Sequence, residues 1–153
     1  MINALIEGIA CKLNEGFPEI AIYSEEVPQN FKTPSFYIKC LTHSDSLLLS
    51  GNKRKITSFD IMYFPLERSY SKEKELNSVL SKLVENMRLI KAEGYKIKAY
   101  DISTKKVDGV LHYFVSYNFI NLKNKDDVKM EILEQHGSVK MENLEERNVV
   151  NGS

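Results

Sequence analysis

Two stretches in the first half of the chain alternate apolar and polar residues with the period of a β-strand. They cover residues 35 to 41 and residues 56 to 64. In the second stretch both faces are apolar, because Phe59, Ile61 and Tyr63 lie on one face, and the opposite face carries Ile56, Met62 and Phe64. A strand with one face in water usually separates apolar from polar residues more cleanly. We therefore expect a sheet whose second face meets another element or another subunit.

Two apolar stripes with helical spacing predict the helices that cover this sheet. Residues 2 to 15 carry apolar residues at i, i+3, i+4 and i+7, and Gly16 stops the pattern. A second stripe runs through residues 76 to 90, with Ser71 as the predicted N-cap and Gly94 as the predicted end.

Three further alternating stretches complete the predicted order αβββαββ. They cover residues 19 to 24, 95 to 104 and 110 to 121, and the last two are joined near Asp108 and Gly109, a dipeptide suited to a hairpin turn. This order predicts a single α+β domain, with a mainly antiparallel or mixed sheet packed by two helices.

Length and composition are typical of one soluble domain. The chain has 153 residues, 42% of them hydrophobic and 27% charged, with a formal net charge of +0. No stretch approaches the ~18 apolar residues of a membrane span, and no secretory leader is evident, so we expect a cytosolic product without a membrane partner. In that compartment Cys11 and Cys40 are expected to be free thiols.

The chain changes character after residue 122. Residues 123–153 carry five Lys or Arg and seven Asp or Glu, a net charge of −2, which leaves +2 on residues 1–122. We therefore divide the chain into a domain, 1–122, and a charged C-terminal tail, 123–153. Short alternating apolar runs in the tail favour an arm that orders on assembly, and a mobile tail is the alternative.

Catalytic and metal-binding patterns do not emerge from the sequence. His43, His112 and His136 lie far apart without metal-ligand spacing, and His112 is predicted to be a hydrogen-bonded structural histidine within a strand. Phosphate-binding glycine loops and nucleophile elbows do not occur. We expect no enzyme activity, no cofactor and no metal.

The candidate functional residues lie on two predicted loops. One carries Asn52 and the basic run Lys53, Arg54 and Lys55, and the other carries Gln29, Asn30 and Phe31. On a single subunit the basic run is typical of a solvated hairpin tip. Repeated around a ring, it would form a positive collar through which DNA passes, without specific nucleic-acid binding.

Several short segments together resemble one protein family. They are FPEIAIYSEEVPQNFKTPSFYIKCL, GNKRK and SFDIMYFP, and the resemblance extends over residues 1–122. These segments resemble the tail terminator family of phages and prophages of low-GC Gram-positive bacteria.

The resemblance implies a structural protein of a virion or tail-like particle, assembled in the bacterial cytoplasm. Its members form a homo-hexameric ring that caps the tail tube, ends tube polymerisation and links the tube to the neck. The implied partners are the tail tube protein, the neck or connector and, in contractile tails or tail-like bacteriocins, the sheath. Two alternatives remain, which are a head–tail adaptor and a small nucleic-acid-binding module that uses Lys53, Arg54 and Lys55. The near-zero net charge argues against the second.

Overall fold

A computed structural model describes residues 1–24, 26–66 and 72–121 of the chain. The predicted N-cap Ser71 and the tail 123–153 lie outside these residues. In chain order the elements are α1 (Ile2–Gly16), β1 (Ala21–Tyr23), β2 (Ser35–Leu47), a 3-10 turn (Leu49–Gly51), β3 (Lys53–Phe64), α2 (Lys72–Asn86), β4 (Leu89–Ala92), β5 (Tyr95–Val107) and β6 (Val110–Asn121).

The strands form one six-stranded sheet in the order β1-β2-β3-β6-β5-β4. β1 runs parallel to β2, whereas β4–β5 and β5–β6 are antiparallel pairs, so the sheet is mixed. This confirms the predicted α+β class with two helices and a mixed sheet. The hairpin between β5 and β6 is also confirmed, because Asp108 (φ 50°) and Gly109 (φ 77°) form its turn.

The core lies between the two helices and one face of the sheet. α1 contributes Leu5, Ile9 and Leu13, and α2 contributes Leu76, Val79 and Leu83, all at most 7% exposed. The sheet supplies a largely aromatic layer to the same cluster, which includes Phe36, Phe59, Tyr63, Tyr113 and Tyr117. Aromatic rings bury large apolar areas, so this face fixes which side of each strand is inside.

One boundary prediction was wrong. α2 ends at Asn86, not near Gly94, and residues Leu89–Ala92 form the additional strand β4. Met87 and Ile90 are still fully buried, and Ile90 fits the helical stripe as well as the strand. Gly94 (φ 81°) instead forms the turn between β4 and β5, together with Glu93 (φ 53°).

The hairpin of β2 and β3 is longer than predicted. Lys53, Arg54 and Lys55 belong to strand β3, not to a loop, and only residues 48 to 52 connect the two strands. Leu47–Lys53 belongs to a compact unit separate from Met1–Ser46 and Arg54–Ile120.

Within that segment the chain turns sharply. Ser50 (φ 70°) and Gly51 (φ 77°) adopt left-handed conformations, and the Leu48 N–H donates to the Asn52 carbonyl at 2.7 Å. Leu47 is 74% exposed and Leu49 is 92% exposed. We call Leu47–Lys53 the hairpin tip.

Candidate assembly surfaces

Two long strands of the sheet are only partly covered at their outer edges. β1 pairs with Ser35, Phe36 and Tyr37 of β2 alone, and β4 pairs with residues 95–98 of β5. The Ala99 N–H still donates to the Arg88 carbonyl at 2.9 Å. Residues 38–46 of β2 and 100–107 of β5 therefore have no outer neighbour among the described strands. We call them the β2 edge and the β5 edge. Open edges expose backbone N–H and C=O groups that pair readily with another strand.

The two open edges lie on opposite sides of the same sheet and run in opposite directions. Side-chain hydrogen bonds Ser58–Ser116 (2.7 Å) and Asp60–His112 (2.8 Å) cross between β3 and β6 in antiparallel order. The short connection makes β2 and β3 an antiparallel hairpin, and β5 is antiparallel to β6. β2 and β5 are consequently antiparallel to one another.

The sheet face opposite the helices, here called the open face, carries a polar pair at its centre. Asp60 is 5% exposed and its Oδ2 lies 2.8 Å from Nδ1 of His112, whose ring stacks on Phe114 at 5.9 Å. His112 is thus hydrogen-bonded within a strand, as predicted. Three further buried atoms on this face have no hydrogen-bond partner among the described residues: Arg54 Nε, Asp60 Oδ1 and Asn118 Oδ1.

The predicted assembly residues do not form one cluster. Arg54 and Lys55 are half-buried at the start of β3, and Phe31 packs edge-on against Phe64 at the end of that strand, with ring centroids 5.3 Å apart. At about 3.3 Å per residue the two ends are roughly 30 Å apart. Gln29 and Asn30 are exposed in the turn before Phe31.

The other two predicted residues belong to the hairpin tip. Lys53 is exposed, and Asn52 is half-buried and accepts the Leu48 N–H bond through its carbonyl. The sequence singled out neither Leu47 nor Leu49, although both lie in the loop predicted to make contacts, residues 44 to 55. The run of three leucines directly before a Ser-Gly turn was the signal, since exposed leucines at a turn are seldom structural.

The described residues show no metal site and no membrane-spanning helix. Within residues 1–24, 26–66 and 72–121, no group of three or more His, Cys, Asp or Glu side chains could hold a metal ion. None of the helices in those same ranges has the length and apolarity to cross a membrane. Cys11 and Cys40 are free thiols as predicted, and burial raises the pKa of the Cys40 thiol.

Among the described residues, two open strand edges, an exposed apolar hairpin tip and a sheet face that neither helix covers are the candidate contact surfaces. A comparison with family models identifies the protein family. The family described as phage tail terminator protein matches residues 4–129, and the chain belongs to that family. A structural role in phage tails, within a virion or tail particle, follows from this membership.

Other comparisons add little to this assignment. A search of curated proteins gave no match. One solved structure aligns with 81% of this chain and 97% of its own, at 11% sequence identity and a TM-score of 0.40. Similarity at that level carries no argument about function.

Proposed function

We propose that this protein forms a homo-hexameric ring that caps the tail tube, ends its polymerisation and joins it to the neck. Family membership supports the tail role. The partners in this proposal are further copies of the chain, the tail tube protein on one side and the neck or connector on the other, with the sheath added in a contractile tail. Assembly takes place in the cytoplasm of a low-GC Gram-positive host.

The pair of open edges is the observation that supports a ring most directly. An interface between different patches on each copy is heterologous, and it closes into a ring when the rotation per copy divides a full turn. The β2 edge and the β5 edge are different, lie on opposite sides of the sheet and run antiparallel. The β5 edge of one copy can thus continue the sheet of the next copy through its β2 edge.

A ring of this kind explains how tube growth ends. A tube end presents the same contacts repeated around its axis, and a ring of matching symmetry satisfies all of them at once. The outer side of the ring then presents a different surface, so no further tube layer is added.

Engineered disulfides test the edge pairing. β2 and β5 are three strand spacings apart within one copy, about 14 Å, which exceeds the ~7 Å that a disulfide can span between Cα atoms. In a background with Cys11→Ser and Cys40→Ala, Ser103→Cys is combined in turn with Ser44→Cys, Asp45→Cys or Ser46→Cys. Oxidation of assembled tails is expected to give a ladder of linked copies that ends at the closed hexamer for at least one pair.

Single-cysteine variants are the matched control for this experiment. Ser103→Cys alone cannot link two copies, because a heterologous interface never places a residue against itself. The absence of a ladder for every pair would refute the edge pairing.

Gene deletion tests the capping role separately. In a tail-producing strain, loss of the protein is expected to give overlong or irregular tubes in electron micrographs. Tubes of normal length that lack heads would instead identify a head–tail adaptor.

The hairpin tip and the turn at Gln29, Asn30 and Phe31 are the surfaces that we assign to the tube and the neck. Each contains exposed residues at a turn, where recognition residues usually lie. Asn52, Lys53, Arg54 and Lys55 remain proposed contacts, with Arg54 and Lys55 now placed on the strand that follows the tip.

A further inference from the structure

The open face is strongly basic although the whole chain has a net charge of +0. Burial of alternate residues and the registers of β4, β5 and β6 identify which side chains lie on it. Its cations outnumber its carboxylates by six to two, a local net charge of +4. They are Lys39, Arg54, Lys91, Lys96, Lys98 and Lys105, against Asp60 and Asp101. A net charge of +0 for the chain is therefore compatible with one strongly basic sheet face.

Three of these lysines are crowded together on β4 and β5. Lys91 and Lys96 are direct cross-strand partners, and Lys98 lies two residues further along the same face. Like charges directly opposite each other in a sheet are destabilising. A residue arrangement that opposes stability points to a functional reason.

The crowded lysines form no ion pair with a carboxylate within the part of the chain that the structure describes, although Glu7, Glu15 and Glu93 line the same cavity as Lys91. By contrast, Lys106 pairs with Glu73 at 2.8 Å and Lys12 with Glu15 at 3.7 Å. Glu93, the nearest acid along the chain, lies 3.8 Å from the N-terminal amine. The cluster is therefore available to an external anion.

The spread of the charge favours an extended anion over a single small one. From Lys39 on β2 to Lys91 on β4 the face crosses four strand spacings, about 19 Å. Duplex DNA carries one charge per ~1.7 Å of its axis, so a face of this width meets several phosphates. Lysine is depleted in protein–protein interfaces and common in phosphate contacts, which disfavours a protein occupant.

We propose that the open face binds the phosphate backbone of double-stranded DNA, without sequence preference, through Lys91, Lys96 and Lys98. This rests on the proposed function, in which DNA passes through the ring. The contact is salt-dependent and replaces the predicted collar of Lys53, Arg54 and Lys55 as the main DNA-facing surface.

The experiment measures fluorescence anisotropy of a labelled duplex of about 30 base pairs across about 50 to 200 mM salt. The full-length wild type is compared with K91Q/K96Q/K98Q and with the control K12Q/K72Q/K74Q, which removes the same charge from the helices. The sheet variant is expected to lower the salt slope of log K by about 2.7, since each lost phosphate contact contributes about 0.9. The helix control is expected to retain the wild-type slope.

A conservative variant separates binding from folding. K91R/K96R/K98R keeps the charges and is expected to bind DNA as the wild type does, because non-specific phosphate contacts require only a cation. Loss of binding in this variant, equal losses in the sheet and helix variants, or no binding by the wild type would each overturn the proposal. Equal affinity of the wild type for polyglutamate and DNA would assign the face to an acidic protein and also overturn it.

Tail length distinguishes this proposal from the proposed function. Tails assembled with K91Q/K96Q/K98Q are expected to have normal length, because the capping contacts are elsewhere. If K91Q/K96Q/K98Q loses DNA binding and its tails have normal length, both proposals are supported. If the same variant binds DNA as the wild type does and its tails are overlong, the DNA-binding proposal is contradicted.

Discussion

At the scale of single residues, the buried tyrosines pack in the apolar core but differ in whether their hydroxyl groups are hydrogen-bonded. Tyr117 donates to the Met87 carbonyl at 2.7 Å, and Tyr63 donates to Glu75 Oε2 at 2.6 Å. The Tyr113 hydroxyl is buried without a hydrogen-bond partner among the described residues. Burying an unpaired hydroxyl costs about 1–3 kcal/mol, so Tyr113 is a site where stability can be gained.

Tyr113→Phe is therefore expected to leave the free energy of unfolding unchanged or to raise it by about 1 kcal/mol. Tyr117→Phe is the matched change, because it removes a satisfied hydroxyl and leaves a buried carbonyl unpaired. It is expected to lower stability by about 1 kcal/mol. Urea unfolding of the two variants checks the prediction, and a larger loss for Tyr113→Phe than for Tyr117→Phe would contradict it.

The same tyrosines predict the response to alkaline pH. Burial raises the pKa of Tyr113 to about 12, although Arg88 acts in the opposite direction. Burial also raises the pKa of Tyr63, with the Glu75 hydrogen bond adding to it, and that of Tyr117. A raised folded-state pKa means that the stabilisation is complete below the unfolded value of about 10 and is lost as pH rises toward the folded value.

Stability is therefore expected to fall above about pH 10, by up to about 1.4 kcal/mol per pH unit for each tyrosine. Lysine titration contributes in the same range, so the informative quantity is the difference between wild type and Tyr113→Phe. Urea unfolding from about pH 9 to about pH 11.5 is expected to show a shallower decline for the variant. Parallel curves would indicate that Tyr113 titrates alike in both states.

At the scale of elements, the sequence predicted helices and long strands correctly but not the strand that follows α2. Met87 and Ile90 continue the helical spacing of Leu83, whereas Ile90 and Ala92 fit a strand that points alternate residues inward. Periodicity over so few residues does not separate the two cases. The positive φ angles of Glu93 and Gly94 favour a strand at Leu89–Ala92, because they form a two-residue turn after which the chain returns as β5.

The contact between α1 and β4 gives a prediction at this scale. A methyl group at Gly8 would meet the backbone carbonyl oxygen of Lys91, and backbone cannot move aside cheaply. Gly8→Ala gains helix propensity of up to about 1 kcal/mol, but the overpacking is expected to dominate and to destabilise by about 1–3 kcal/mol net.

Gly16→Ala is the control within the same helix. A methyl group there meets the side-chain amide of Asn86, which can rotate away, so a change of less than about 1 kcal/mol is expected. Thermal and urea unfolding compare the two variants. Equal stability of both would show that β4 shifts freely against α1.

For the whole molecule, the sequence predicted the fold class and the family but not the surfaces. The β2 and β5 edges depend on how far the short strands β1 and β4 extend, and no local pattern contains that information. The lysine cluster depends on the register that places Lys91 opposite Lys96. The basic run Lys53, Arg54 and Lys55 is evident in the sequence, but its strand conformation could not be predicted, because three adjacent cations are common in loops.

The exposed leucines of the hairpin tip give the last prediction. Leu47 and Leu49 are 74% and 92% exposed, so replacing them removes little buried area, and L47S/L49S is expected to change the unfolding free energy by less than about 0.5 kcal/mol. Exposed leucines at a turn stabilise a complex only when a partner buries them, and each then contributes about 1.5–3 kcal/mol of binding free energy. Across six copies of a ring these contacts add, so tube capping is expected to fail while folding is retained.

Electron micrographs should then show overlong tails for L47S/L49S and tails of normal length for Leu66→Ser, which alters a half-exposed leucine outside the tip. Normal tails in both strains would move the tube contact away from the hairpin tip, toward the turn at Gln29 and Asn30.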